Sequence, residues 1–265
     1  MSKLVGSVRS RSGPVAMLAA MALLPVQSHA DCRVQSPVYT VALVELYTSE
    51  GCDSCPPADR WLSRLDAGGN RVVPLGLHVD YWDRLGWKDR FASATFTERQ
   101  YEQMRRQRSG FVYTPQVLVQ GRDFTSWRST PDPTAAIAAI NARQARATIE
   151  LAAQTQDGQA RVEIRVTVAD QRDRNRARVA VALVQDGLAS EVNAGENAGK
   201  RLSHDHVVRQ WRGGLPLRPD GELREQFSFA LPAETGPLTV VAFAEDTGSG
   251  EVLQAAALPL CERPR

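Results

Sequence analysis

The sequence predicts an α/β domain followed by an all-β, sandwich-like domain. Three observations predict it. Short apolar runs at 38–47, 71–79 and 117–120 alternate with helical patterns in the first half. Beyond residue 147 the texture changes to seven strand-like runs separated by turn signals. An alanine-rich helical pattern opens after Asp132 and Pro133 and leads up to that change.

The chain has 265 residues, and its first thirty read as a secretory signal peptide. Lys3, Arg9 and Arg11 make a basic start, an apolar stretch follows from Pro14 to Val26, and Ser28-His29-Ala30 offers small residues for cleavage. The apolar core is too short to span a bilayer. Arg9 and Arg11 are split by Ser10, so there is no twin arginine, and Cys32 lacks a lipidation pattern before it. Without those three basic residues the chain has 29 Lys+Arg against 30 Asp+Glu, a formal charge of −1. No basic stripe argues for nucleic acid. The expected organisation is a signal at 1–30, an α/β domain at 31–147 with a helical insertion at about 80–112, and a β-rich domain at 148–265.

Each element has its own justification. The run at 38–47 is β-branched and nearly all apolar, which suits a buried strand. Residues 58–65 set Trp61, Leu62 and Leu65 on one helical face, and Asn70 supplies a turn. A second strand covers 71–79, with Pro74 and Gly76 as irregularities. The polar segment 95–108 reads as a helix with Phe96, Tyr101 and Met104 turned inward. A third strand at 117–120 closes on a turn at Gly121. The alanine-rich helix is expected to run to about 147. Strands then follow at 148–153, 161–169, 178–185, 206–211, 222–231, 238–245 and 251–259. Alternation is plainest in Val162-Glu163-Ile164-Arg165-Val166.

The chemistry sits at the first strand-to-helix junction. Cys52 and Cys55 form a C-x-x-C between the apolar run and the first helix, and that context reads as a redox site. The helix N-terminus favours a thiolate on the first sulfur. Thr114-Pro115 precedes the third strand, where a cis proline would bring backbone beside the thiols. Tyr81, Trp82 and Trp87 are either walls of a substrate groove or ordinary core. The economical disulfide pairing is Cys52–Cys55 with Cys32–Cys261, the second stapling the ends of the exported chain. The alternative leaves Cys32 and Cys261 free, or makes one of them a resolving thiol.

The block Glu45-Leu46-Tyr47-Thr48-Ser49-Glu50-Gly51-Cys52-Asp53-Ser54-Cys55-Pro56-Pro57-Ala58-Asp59 resembles a family of secreted, thioredoxin-like proteins of unassigned function. So do His78-Val79-Asp80-Tyr81-Trp82-Asp83-Arg84-Leu85-Gly86-Trp87, Tyr113-Thr114-Pro115-Gln116 and Gly195-Glu196-Asn197-Ala198-Gly199-Lys200. The resemblance implies a thioredoxin-like first domain. It makes Cys52 the attacking and more exposed thiolate, Cys55 the resolving thiol and Pro115 the cis proline. Glu45 is then either the carboxylate that shuttles a proton to the inner thiol or a strand glutamate paired with a basic neighbour. Thr114, Tyr81 and Trp82 are the expected substrate contacts.

The expected function is an exported thiol–disulfide oxidoreductase, periplasmic or secreted. It needs no cofactor or metal, and its partners are protein thiols or disulfides of that compartment. Asp53 beside the thiolate and Pro57 after it predict a couple less oxidising than a dedicated disulfide donor. Two alternatives stand beside it. One is a Cu(I)-binding thiol protein that uses His78. The other is a non-catalytic scaffold carrying a β-rich binding module. Zinc lacks its four ligands, because Cys32 and Cys261 do not form a second C-x-x-C. His204 and His206 alternate and read as surface or edge residues.

Overall fold

The computed structural model describes residues 1–2, 6, 32–65, 69–129 and 132–261. The signal peptide read at 1–30 lies essentially outside the described residues. Among them are fourteen strands and four α-helices, and no helix is long and apolar enough to cross a membrane.

The first half runs β1 (Cys32–Gln35), β2 (Ala42–Thr48), α1 (Pro56–Leu62), β3 (Val72–His78), α2 (Ala94–Gln107), β4 (Gln116–Val119), β5 (Arg122–Asp123) and α3 (Thr134–Asn141). β2 and β3 are buried along their whole length, as continuous apolar runs require when both faces are covered. α1 starts at Pro56 with Cys55 as its N-cap residue, because a proline loses little in a first turn where amides have no intrahelical partner. Ser93 caps α2 by accepting from the Thr95 amide. α3 is shorter than its alanine content suggests: it stops at Asn141, whose side chain donates to the carbonyls of Thr40 and Arg71. Asp132 does act at its start, accepting from the Thr134 amide.

The second half contributes β6 (Thr148–Gln156), β7 (Gln159–Thr167), α4 (Gln171–Arg174), β8 (Ala177–Gln185), β9 (Leu188–Glu191), β10 (Arg201–His204), β11 (Val207–Pro216), β12 (Glu222–Ala230), β13 (Leu238–Asp246) and β14 (Val252–Pro259). The alternating run at 162–168 lies in β7 with its apolar side inward.

The expected fold class, an α/β thioredoxin-like domain followed by an all-β sandwich, is overturned. Strand makes up 43% of the structure and helix 18%. One eight-stranded sheet, ordered β14-β13-β8-β11-β3-β2-β4-β5, takes strands from both halves. The free edge of β3 is the place where they meet. Val207 of β11 pairs in parallel with Gly76, and the Gly76 amide donates to the His206 carbonyl at 2.7 Å. A second, four-stranded sheet, β1-β6-β7-β12, likewise mixes the two halves, because β1 pairs with β6. Strand and helix do alternate locally from β2 to β4. The long-range pairing that turns those strands into part of a larger β-sheet leaves no local mark.

Three apolar clusters fill the layers. Between the two sheets lie Ile149, Val162, Ile164, Val181, Leu183 and Phe229. α1 and α3 cover one face of β2 through Val44, Leu46, Trp61, Leu62 and Ile140. α2 covers the opposite face, where Leu43, Tyr47, Leu75 and Phe96 meet Phe243 of β13 and Val208 of β11. Gly121, after β4, ties the halves at another point. A Cβ there would fall 2.0 Å from the Gly250 carbonyl oxygen, and its φ of +72° already favours glycine.

Candidate functional site

The C-terminal end of β2 delivers the thiol loop. Cys52 and Cys55 are joined as a disulfide with Cα atoms 5.5 Å apart, and Cys32 is joined to Cys261. The Cys55 amide donates to the Cys52 carbonyl, and α1 begins one residue later. Cys52 therefore stands before the helix rather than in its first turn, which weakens the help it takes from the helix dipole. Both cysteines have 0% exposure, so Cys52 is not the more exposed of the two.

The segment expected beside the thiols is there. The Thr114–Pro115 peptide bond is cis. The Thr114 hydroxyl donates to Cys52 Sγ at 3.5 Å, and the Trp82 indole N–H donates to the same Thr114 Oγ1 at 2.7 Å. Ser54 Oγ lies 3.4 Å from Cys52 Sγ. Tyr81 packs against Trp82 and donates to Gln100 Oε1 at 3.2 Å. Tyr81 and Trp82 are both half-buried, with Trp82 touching the thiol site through Thr114.

Glu45 is elsewhere. It points to the α2 side of β2, where Arg99 Nε donates to Glu45 Oε1 at 2.6 Å. The same guanidinium makes a two-pronged contact with Glu245 of β13, at 3.1 and 3.0 Å. The role of proton shuttle is thereby corrected to the other reading, a strand glutamate paired with a basic neighbour. The physical reason is period two along a strand: Leu46 faces α1, so Glu45 faces away from it.

Behind the thiols lies a sealed polar cluster that the sequence did not disclose. His78, at the end of β3, has Nδ1 2.7 Å from Asp89 Oδ2. Asp89 also accepts from the amides of Glu50 and Phe91, at 2.9 Å each. Glu50 accepts from the Trp87 indole at 2.8 Å and lies 3.2 Å from His204 Nε2. The His78 and His204 rings meet edge-on with centroids 4.9 Å apart. His204 is buried, not a surface residue, and its Nδ1 has no hydrogen-bond partner among the described residues. Asp59, one turn beyond Cys55 in α1, is buried beside the same rings.

The electrostatics follow from this packing. Burial pushes the Asp59 carboxyl up, and the His204 and His78 rings offset only part of that. Burial disfavours a charged His78, but the facing Asp89 outweighs it and raises the imidazole's pKa. Burial likewise opposes ionisation of Asp89, yet His78 and two backbone amides hold it down at about 2. His78 Nδ1 thus ties the end of β3 to the loop that carries Asp89. Among the described residues, no group of three or more His, Cys, Asp or Glu is placed to hold a metal ion.

The turn between β9 and β10 completes the site. Asn197, 0% exposed, donates to the carbonyls of Glu50 and Cys52 at 2.9 and 2.8 Å. Lys200 Nζ donates to Asn197 Oδ1 at 2.8 Å, and the Asp53 amide donates to Glu196 Oε2 at 3.1 Å. The block at 195–200 was visible as a motif, but its place beside the thiols was not. For Asp59 the only sequence signal was its spacing of four from Cys55.

A family model described as protein of unknown function (DUF1223) matches residues 43–244. Two solved structures are similar. A crystal structure of an Agrobacterium tumefaciens protein is 28% identical over 83% of this chain and 94% of its own, with a TM-score of 0.57. HBP35 of Porphyromonas gingivalis is 16% identical over 84% of this chain and 76% of its own, with a TM-score of 0.60, a likeness of fold alone. No curated protein matches the chain in sequence.

Proposed function

This chain belongs to the DUF1223 family of proteins of unknown function, and we propose that it carries out thiol–disulfide exchange through Cys52 and Cys55. One observation carries the reading. The two sulfurs are joined across a loop so short that the bond adds little chain-entropy stabilisation, while Thr114 and Ser54 place hydroxyls on Cys52 Sγ. In the reducing direction, the Cys52 thiolate attacks a client disulfide. One client sulfur leaves as a thiolate and a mixed disulfide forms. Cys55, having lost its proton, attacks Cys52 Sγ, and the second client sulfur leaves. The protein disulfide forms as the client disulfide is reduced; the oxidising direction is the reverse.

The clients are protein thiols or disulfides of an exported compartment, periplasmic or extracellular. Thr114 contacts the attacking sulfur, Trp82 reaches it through Thr114 and Tyr81 packs on Trp82, and these three are the expected client contacts. Because both cysteines are covered, the site must open before a client disulfide reaches Cys52. The competing reading draws on the same burial and makes the pair a structural bridge. Turnover of a model disulfide substrate separates the two, together with a mixed disulfide held on Cys52 in Cys55→Ala. Exchange that is lost in Cys52→Ser supports catalysis. No exchange by the folded wild-type protein supports the bridge.

A further inference from the structure

Resting on the exchange reading, we infer that the turn Gly195–Lys200 is a working part of the thiol site. Glu196 is a positioning residue that disfavours the Cys52 thiolate, and Asn197 holds the loop where Glu196 can act. The turn reaches the thiols from the far half of the chain, 143 residues away between Asp53 and Glu196.

The contacts are specific. Asn197 uses both amide hydrogens on carbonyls of the thiol loop, those of Glu50 and Cys52. Lys200 fixes the orientation of that amide by donating to its oxygen. Gly195 has φ +72°, and a Cβ there would lie in contact with Gly51 Cα of the thiol loop at 3.7 Å, so the turn sits against the loop. With the turn so held, Glu196 accepts from the amide of Asp53, the residue next to Cys52. That amide is thereby directed at a carboxylate rather than at the sulfur.

The charges near Cys52 decide the direction. Asp53, Glu196 and Glu50 are acidic, Lys200 is basic, and His204 faces Glu50. Glu50 is buried and already engaged by Trp87 and His204. Asp53 and Glu196 are exposed, and Glu196 Oε2 sits 3.1 Å from the amide nitrogen that follows Cys52. A negative group close to a thiol raises the cost of forming thiolate. A thiolate that forms less readily makes a poorer leaving group and a less oxidising disulfide.

The test titrates Cys52 alone, by thiolate ultraviolet absorbance in the full chain carrying Cys55→Ser, with Cys32–Cys261 left oxidised. Glu196→Gln keeps a hydrogen-bond acceptor for the Asp53 amide and removes the charge. At pH values below the midpoint it should raise the thiolate fraction about threefold, the size expected for one solvent-screened charge. Glu196→Asp keeps the charge and should leave the curve in place. In the chain with Glu196 intact, added salt should move the curve the same way as Glu196→Gln, by screening. An unmoved curve in Glu196→Gln, an equal movement in Glu196→Asp, or no response to salt overturns the inference. The titration reads ionisation whether or not a client disulfide is attacked, so its failure is distinguishable from a failed exchange assay.

Discussion

Asn197→Ala tests how much the second half of the chain holds the thiol loop. The side chain makes three hydrogen bonds: to the Glu50 carbonyl, to the Cys52 carbonyl and from Lys200. The two carbonyls are not equivalent. That of Cys52 also accepts from the Cys55 amide, so it keeps one partner after truncation. That of Glu50 belongs to a residue with 0% exposure and relies on Asn197. A stranded buried acceptor costs about 1–3 kcal/mol, and losing an ordinary hydrogen bond costs about 0.5–1.5 kcal/mol. The sum is roughly 1.5–4.5 kcal/mol of stability, because Lys200 regains water. Asn197→Asp should cost more than alanine, since it turns a carboxylate oxygen toward two carbonyl oxygens in a buried site. Urea unfolding of the oxidised protein, followed by tryptophan fluorescence, measures both variants. A loss below about 0.5 kcal/mol for alanine, or aspartate tolerated better than alanine, refutes the reasoning.

Further outcomes follow from other parts of the fold. Arg99→Met strands Glu45 in a buried setting, while Glu245 keeps Arg106, and should cost about 3–5 kcal/mol in urea unfolding, partly recovered by adding Glu45→Gln. Gly121→Ala drives a Cβ into the Gly250 backbone and should cost more than 2 kcal/mol, roughly, in the same assay. For pH, Asp89 is held at about 2 in the fold. Its contribution, roughly 2 kcal/mol, is therefore complete above its ordinary value and is lost as pH falls toward 2. His78 is raised, so its contribution is complete below its ordinary value and fades as pH rises through the folded one. Asp59, raised by burial, works against stability as it ionises. His78→Gln should flatten both the Asp89 limb and the His78 limb of a stability–pH profile. An unchanged profile means that the pair is not coupled to folding.

What was legible in the sequence was local. The C-x-x-C, the strand before it, the Thr114-Pro115 segment and the seven later strand runs all announce themselves through spacing and period. The short strands β1, β5, β9 and β10 are two to four residues long and carry too little pattern to be seen. Glu45 shows the limit for side chains. The thioredoxin resemblance suggested chemistry for it, but strand alternation turned it to Arg99 on the other face. His204 shows the converse. A polar residue in a short strand reads as exposed, yet its sheet neighbours fold it under the thiol loop against His78. The fold class failed for the same reason: the pairing of β11 with β3 is a contact between distant residues.

Thiol–disulfide exchange requires that the Cys52–Cys55 bond open and re-form while the protein stays folded. Native protein is treated with dithiothreitol, quenched with an alkylating agent, and the modified cysteines are mapped by mass spectrometry alongside circular dichroism. If the bond exchanges in the folded protein, Cys52 and Cys55 are alkylated first, with Cys32–Cys261 intact and the spectrum unchanged. Alkylation of all four cysteines together, and only as the spectrum is lost, would contradict it.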